Sequence, residues 1–329
     1  MWQGGRLSPV QEAVVLSCLA NSTRSRMSCA VASLLLASSA SGQGVTIDTV
    51  AVGDAGNDGW SSYGHGAVGY QYSIGRYEVT NSQYAAFLNA KATTADPYGL
   101  FNLSMAGSSG GITFSGGPPT GFIPGSPRTY VARSGLENSP VNFVSFWDAA
   151  RFTNWLQNGQ GNGDTETGTY TLTSGAISAN TVTRNPGSTW AITSGDEWFK
   201  AAYYTGGGLS AGYWDFPTQS NSITNAMANF RGSAGTVTQV GSYAFTSAYG
   251  AFDMGGNVAE WTETVIGSGR ISRGGSFDDS SAQLRLTGGG GTLATTESSE
   301  LGFRVSLIPG PGPLAALALG GLLTRRRRR

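Results

Sequence analysis

The residue types that could do chemistry are concentrated in one block between Tyr249 and Phe277, which reads YGAFDMGGNVAEWTETVIGSGRISRGGSF. It combines two carboxylates, Asp253 and Glu260, with Trp261 and two glycine pairs. Glycine permits backbone paths that a Cβ closes to other residues, and loops of this kind carry function when a rigid scaffold holds them. We therefore predict that this block contains the functional loop of the chain.

Thiol and histidine chemistry is nearly absent from the sequence. The two cysteines are Cys18 and Cys29, close to the N-terminus, and the one histidine is His65. A body without cysteine can hold no disulfide, no thiolate metal site and no cysteine nucleophile. A site with several histidine ligands is equally hard to build from one histidine.

The net charge of zero hides an acidic body. Removing the eight arginines and the one glutamate of the two ends from 20 basic and 20 acidic residues leaves 12 and 19. A protein that binds nucleic acid needs a basic face to neutralise phosphates, so we do not expect a nucleic-acid partner. Glycine is abundant, at 50 of 329 residues, which predicts a globular chain with many tight turns.

Six short blocks follow one another along the body: Tyr77–Asn81, Pro140–Ala150, Thr193–Trp198, Asp253–Trp261, Arg273–Ser276 and Gly302–Arg304. In this order they resemble the signature of the formylglycine-generating enzyme family, also called the sulfatase-modifying-factor domain. The likeness covers roughly Val45 to Leu307. It implies the formylglycine-generating enzyme fold, an irregular α+β domain related to C-type lectin folds, with a small antiparallel sheet, about three helices and long loops.

The resembling oxygenases bind copper through two cysteines, five residues apart, that follow the Gly-Gly-Ser segment. The matching positions here are Asp279 and Leu284. Because Cu(I) prefers sulfur ligands, copper is not expected, and the resemblance does not extend to formylglycine formation.

The resemblance also implies calcium, which takes hard carboxylate and carbonyl oxygens. The family's site matches Asp253, Gly256, Val258 and Glu260. The alternative is that Glu260 holds a backbone turn without any metal. A second family site would start at Asn229 and Phe230, although its usual downstream aspartate has no counterpart here.

The family's substrate groove would be lined here by Trp261, Ser276, Asp278, Asp279 and Arg285. Aromatic, carboxylate and guanidinium groups together suit sugars or peptides. The alternatives are that Trp261 packs in the core and that Arg285 and Arg304 are structural partners of carboxylates.

Local patterns predict the main elements. Capping boxes at Thr80, Ser145 and Ser194 predict helices that end near Ala90, Asn158 and Tyr203. Strands are predicted over Val45–Val52, Tyr70–Val79 and Tyr170–Leu172. The Gly/Ser/Pro-rich segment from Asp96 to Ser139 is expected to run over the surface.

Both ends resemble processing segments. Residues 1–42 contain a positively charged stretch, an apolar run and small residues, which is typical of a secretory signal. Residues 308–329 contain a Pro/Gly spacer, an apolar run and five arginines, and resemble the PEP-CTERM signals that an exosortase removes. An exosortase-like partner and transient membrane anchoring would follow; a plain membrane tail is the alternative.

Residues 43–307 are thus expected to form a secreted, noncatalytic domain at the cell surface or in the matrix, where it binds a glycan or peptide. One alternative is an enzyme of the same family with a non-cysteine mechanism that uses Asp278 and Asp279. Adjacent residues of an extended segment point to opposite faces, which makes them a poor catalytic pair. The other alternative is a structural envelope protein.

Overall fold

The computed structural model describes residues 44–61, 64–117, 123, 125–209 and 211–309. The predicted leader at 1–42 lies outside the described residues, as does nearly all of the predicted tail at 308–329. In chain order, the elements are β1 Thr49–Val52, β2 Tyr72–Gly75, α1 Asn81–Lys91, a 3-10 helix Leu103–Ala106, β3 Ile112–Ser115, β4 Thr129–Ala132, α2 Phe146–Gln157, α3 Ser174–Ser178, β5 Trp190–Ile192, α4 Gly195–Tyr203, β6 Ala259–Ile266, β7 Gly269–Arg273, α5 Ser281–Leu284, β8 Gly290–Thr292, β9 Leu301–Phe303 and β10 Val305–Leu307.

The three predicted helices are confirmed as α1, α2 and α4, and each begins with a complete capping box. In α1, for example, the Thr80 hydroxyl accepts a bond from Gln83 N at 3.3 Å, and the Gln83 side chain accepts one from Thr80 N at 2.9 Å. These reciprocal bonds satisfy N–H groups that the first turn leaves without helical partners. The short helices α3 and α5 were not predicted.

The strands of the described residues form two four-stranded sheets and one hairpin. The first sheet has the order β1-β2-β10-β5 and is antiparallel throughout. The second has the order β8-β7-β6-β9, in which β6 and β9 run parallel. The hairpin joins β3 and β4. The α+β prediction is confirmed, with its strands divided among three sheets.

The strand predicted over Tyr170–Leu172 is wrong. Tyr170 forms only an isolated bridge with Arg184. The amide side chain of Asn154, in α2, donates to Tyr170 O at 2.9 Å and accepts from Tyr170 N at 2.8 Å. A side chain therefore satisfies the backbone groups that a neighbouring strand would otherwise pair. The segment from Asp96 to Ser139, expected to run over the surface, instead contains the β3–β4 hairpin and contributes Met105, Ile112 and Tyr130 to the core.

Aromatic side chains join the helices to the second sheet. The ring of Phe152 in α2 lies 5.5 Å from that of Phe87 in α1 and 5.4 Å from that of Phe303 in β9. This fixes β9 against the helices, and Arg304 is the single residue between β9 and β10, which belong to different sheets. No helix of the described residues is long and apolar enough to cross a bilayer.

Candidate functional site

A buried ion pair lies at the centre of the predicted functional loop. Arg304 donates from Nε to Glu260 Oε2 and from Nη2 to Glu260 Oε1, both at 2.6 Å. Trp198 Nε1 donates to Glu260 Oε2 at 2.7 Å. The remaining donors of Arg304 bind Gly75 O at 2.9 Å and Phe252 O at 3.0 Å. Such a bidentate pair, with every charged atom hydrogen-bonded, is the geometry that compensates burial of two charges.

Two further buried carboxylates, Glu78 and Asp253, surround this pair. Burial raises the pKa of Glu78 well above its usual range, and the negative charge of Asp253 raises it further. Burial likewise raises the pKa of Asp253 to about 6, against the lowering effects of the Gly241 N–H and Arg304. Three carboxylates thus share one guanidinium, and the site has more negative than positive charge when all of them are ionised.

The turn between Asp253 and Glu260 needs its glycine. Gly256 has φ +80°, and a Cβ there would lie 2.1 Å from Asn229 O. Asn257, with φ 63°, donates from its backbone N to Asn229 O at 2.9 Å and from Nδ2 to Glu78 Oε1 at 3.2 Å. The structure therefore brings Asn229, predicted to belong to a second metal site, directly against the turn of the first.

We tested whether the residues of this turn fit calcium. The described residues contain no group of three or more His, Cys, Asp or Glu side chains placed to hold an ion, so main-chain oxygens would have to contribute. Two buried oxygens around the turn, Glu78 Oε2 and Asn229 Oδ1, have no hydrogen-bond partner. Unpartnered oxygens and surplus negative charge are what a hard dication would compensate, so the donor set fits.

The predicted ligands differ in how free their oxygens are. Glu260 already accepts three side-chain bonds, which leaves about one of a carboxylate's four lone-pair positions. Asp253 accepts a bond from Gly241 N at 2.6 Å. Phe230 O accepts from Ser233 N and Asn225 Nδ2, so both of its lone pairs are used. Val258 is fully buried beside Gly302. A calcium ion would be held here mainly through Asp253 and the turn backbone.

The positions of the family's copper cysteines hold no sulfur and are engaged otherwise. Asp279 Oδ2 accepts from Ser276 N at 2.9 Å and lies 3.0 Å from Ser276 Oγ. Leu284 is fully buried, and its carbonyl accepts a bond from the Tyr203 hydroxyl at 3.1 Å. Neither residue offers a soft ligand.

Ser276 joins Asp279 to a second acidic residue, Glu300. Its Oγ lies 3.0 Å from Glu300 Oε2 as well as from Asp279 Oδ2. A hydroxyl has one proton to donate, so it can satisfy only one of these oxygens at a time. Asp278 is exposed beside this cluster. Asp278, Asp279 and Glu300 thus form an acidic surface around Ser276, in which some carboxylate oxygens can accept further hydrogen bonds.

The other two predicted groove residues are placed differently. Trp261 is 0% exposed, and its Nε1 donates to Val144 O at 2.9 Å while its ring meets Phe146 edge-on. It therefore lies in the core, away from any ligand surface. Arg285 is about half exposed and pairs with Asp215, so it lies at the surface.

Residues 63–307 match the sulfatase-modifying factor enzyme 1-like domain. The chain belongs to this family. No curated protein matches the chain as a relative.

Two solved structures show the same fold as this member of the sulfatase-modifying factor family. Treponema denticola variable protein 1 is 19% identical, with a TM-score of 0.51 over 80% of this chain and 96% of that one. CarF is 22% identical, with a TM-score of 0.50 over 80% of this chain and 99% of that one. At these identities the likeness concerns the fold alone.

Sequence reasoning missed four residues of the site: Glu78, Trp198, Asn257 and Glu300. The first two lie inside blocks that resemble the sulfatase-modifying factor family, and Asn257 lies in the functional loop itself. Their membership in those blocks was a signal, but only the fold shows that they meet at Glu260 and Ser276.

We predict that breaking the buried ion pair is costly. Arg304→Met leaves Glu260 buried without its charge partner, and should lower the free energy of unfolding by about 3–5 kcal/mol. The double variant Arg304→Met/Glu260→Gln should be less destabilised, because no unpaired charge remains there while Gln can still accept from Trp198. Urea denaturation measures both.

The control is Arg285→Met, which breaks the exposed pair with Asp215 and should cost about 1 kcal/mol or less. Equal losses for Arg304→Met and Arg285→Met would contradict the central role of the buried pair.

We also predict a pH dependence from Asp253. Its folded pKa of about 6 lies above its usual value of 3.8, so the folded state holds the proton more tightly. Its stabilising contribution is full below about pH 4 and is lost as the pH rises through about 6. In the presence of a chelator, the free energy of unfolding of wild type should therefore fall by on the order of 2 kcal/mol relative to that of Asp253→Asn between pH 4 and pH 7.

Urea denaturation across this pH range measures the difference, and Asp278→Asn, at an exposed carboxylate, is the control. If the free energies of unfolding of wild type and Asp253→Asn change with pH in parallel, the excess of buried carboxylates does not affect stability through Asp253, and the prediction is wrong.

Proposed function

We propose that the chain is a noncatalytic member of the sulfatase-modifying factor family that binds an extracellular glycan or peptide. One observation carries this proposal. At the two positions where the resembling oxygenases place copper cysteines, this chain has a hydrogen-bonded carboxylate, Asp279, and a fully buried leucine, Leu284. The scaffold is kept, and the atoms that would hold the redox metal are replaced.

The acidic surface at this place supports binding rather than redox chemistry. Asp279 and Glu300 share one hydroxyl proton of Ser276, and Asp278 is exposed beside them. Hydroxyl groups of a sugar or N–H groups of a peptide would supply the donors that these carboxylates lack. Arg285, half exposed beside Phe216, adds a cation on the same stretch of chain.

Calcium has a structural role in this proposal. The ion would offset the excess charge of Glu78 and Asp253 and hold the turn at Gly256 against Asn229. The acidic surface at Ser276 comes directly after strand β7. Arg273, at the end of β7, is paired in register with Glu260 of β6. A fixed turn would therefore hold the ligand surface in place.

The location proposed for the domain is outside the cytoplasm, at the cell surface or in the matrix. This rests on the sequences of the two ends, a secretory leader and a tail processed by an exosortase-like enzyme after transient membrane anchoring. The acidic charge of the body is consistent with a ligand other than nucleic acid.

The enzyme alternative assigns acid and base roles to Asp278 and Asp279. Asp279 is tied to Ser276, while Asp278 points to solvent, so the two lack a shared reaction space. The envelope-protein alternative requires self-assembly without a small ligand, and sedimentation of the purified protein distinguishes it.

The binding proposal is tested on broad glycan and peptide arrays. We expect retention of the protein on a restricted set of ligands and loss of retention for Asp278→Ala and Glu300→Gln. Asp164→Ala is the control because Asp164 is exposed in a different loop. Blank arrays, or equal retention of all variants, would overturn the proposed binding surface.

Calcium is tested by calorimetric titration of chelator-treated protein. We expect saturable binding near one ion per chain and a higher Tm with calcium than with magnesium, since the site offers large, irregular oxygen coordination. Asp253→Asn should weaken this binding. If neither heat nor a Tm shift appears in wild type, the calcium proposal fails while the array result stands by itself.

A further inference from the structure

A cavity opens at the end of β7, and none of its lining residues belongs to the acidic surface at Ser276. It has a volume of about 350 Å³. Ile266, Ile271 and Leu286 form an apolar part of its lining, and Trp60 and Arg273 are also among its lining residues. The cavity is thus mainly apolar, with one strong cation.

Arg273 lacks a charge partner. Its side chain is 8% exposed, and the described residues place no carboxylate within ion-pair distance of it. Its one side-chain hydrogen bond goes from Nη1 to Gly288 O at 3.2 Å, and its Nε has no partner. A guanidinium has five N–H donors, so most of its donors remain unused.

The strand register explains this lack of a partner. Arg273 lies directly opposite Glu260 across β6 and β7, where an ion pair would normally form. Both oxygens of Glu260, however, are taken by Arg304 and Trp198. Asp196 acts on Arg273 only at longer range and accepts a bond from Gly66 N at 2.9 Å.

Another buried arginine of the same strand is satisfied. Arg270 is 1% exposed, and its three nitrogens donate to Asn180, Glu263 O and Val182 O at 2.6–3.0 Å. A buried guanidinium without such partners is costly. The ring of Phe199, 5.1 Å from Arg273 Cζ, compensates only part of the charge.

Three consecutive glycines, 288–290, line the cavity next to the arginine. Gly289 has φ +98°, and a Cβ there would lie 2.9 Å from Ser272 O. At Gly290, by contrast, a Cβ would meet nothing within 4 Å. Because Gly290 pairs with Ser272, a side chain there would lie on the other face of the sheet from Ile271 and Arg273, which line the cavity.

We propose that this cavity binds a carboxylate attached to an apolar or ring-shaped body. The planar guanidinium of Arg273 would receive the carboxylate in the forked geometry that arginine favours. Trp60 and Ile271 would contact the body. A singly charged carboxylate is preferred over a phosphate dianion because one cation stands in a mainly apolar lining. This site goes beyond the proposed function, since it shares no residue with the acidic surface at Ser276.

The test titrates the full chain with two carboxylates, methyl glucuronide and an N-acetylated dipeptide with a free C-terminus, and with their neutral methyl esters. Calorimetry and Trp fluorescence are the readouts. We expect saturable binding of at least one acid, weaker binding of its ester, and an affinity loss of about tenfold or more for Arg273→Gln. Which acid binds identifies the source as a uronate or a peptide terminus.

Two variants guard against misfolding and loss of charge alone. Ile271→Ala, which removes apolar lining, should weaken binding while leaving Arg273 intact, and Arg133→Gln, at a guanidinium that binds the carbonyls of Gly107 and Gly110, should not. The proposal is overturned if neither acid binds, if the esters bind as well as the acids, or if Ile271→Ala and a folded Arg273→Gln both retain wild-type affinity.

Discussion

The buried pair between Glu260 and Arg304 is the constraint on which the rest of the fold depends. Glu260 lies in β6 of the second sheet, and Arg304 is the residue where the chain passes from that sheet to the first. Through Gly75 O the arginine also holds β2, and through Trp198 the glutamate holds α4. One ion pair thus joins both sheets and a helix at the functional loop.

This pair also determines the electrostatics around it. Because Glu260, Gly75 O and Phe252 O take four of the five N–H donors of Arg304, Glu78 and Asp253 are left as excess buried carboxylates. Because it uses the carboxylate of Glu260, Arg273 on the neighbouring strand is left as an excess buried cation. A negative and a positive site therefore both border this strand pair, and each has the charge that a ligand of opposite sign would neutralise.

Features encoded by neighbouring residues could be predicted from the sequence. The capping boxes at Thr80, Ser145 and Ser194 fix three helix starts because the bonding groups are three residues apart. That Asp279 and Leu284 stand where the resembling oxygenases have cysteines is a prediction from the sequence alone. The pairing of Glu260 with Arg304, 44 residues later, was not, because it depends on how two sheets meet. For the same reason, the sequence could not decide between core packing and a surface role for Trp261, whose indole donates to Val144 O in the structure. Tyr170 was mistaken for a strand residue because the Asn154 side chain, in a helix, pairs with its backbone N–H and C=O groups.

We propose that the family scaffold persists in this chain without sulfur-based chemistry. The most direct measurement is aerobic incubation of the protein with copper and a sulfatase-motif peptide, followed by mass spectrometry of the peptide's cysteine, with an active formylglycine-generating enzyme as positive control. We predict that the cysteine is unchanged under conditions where the control converts it. A copper-dependent aldehyde product would contradict the account.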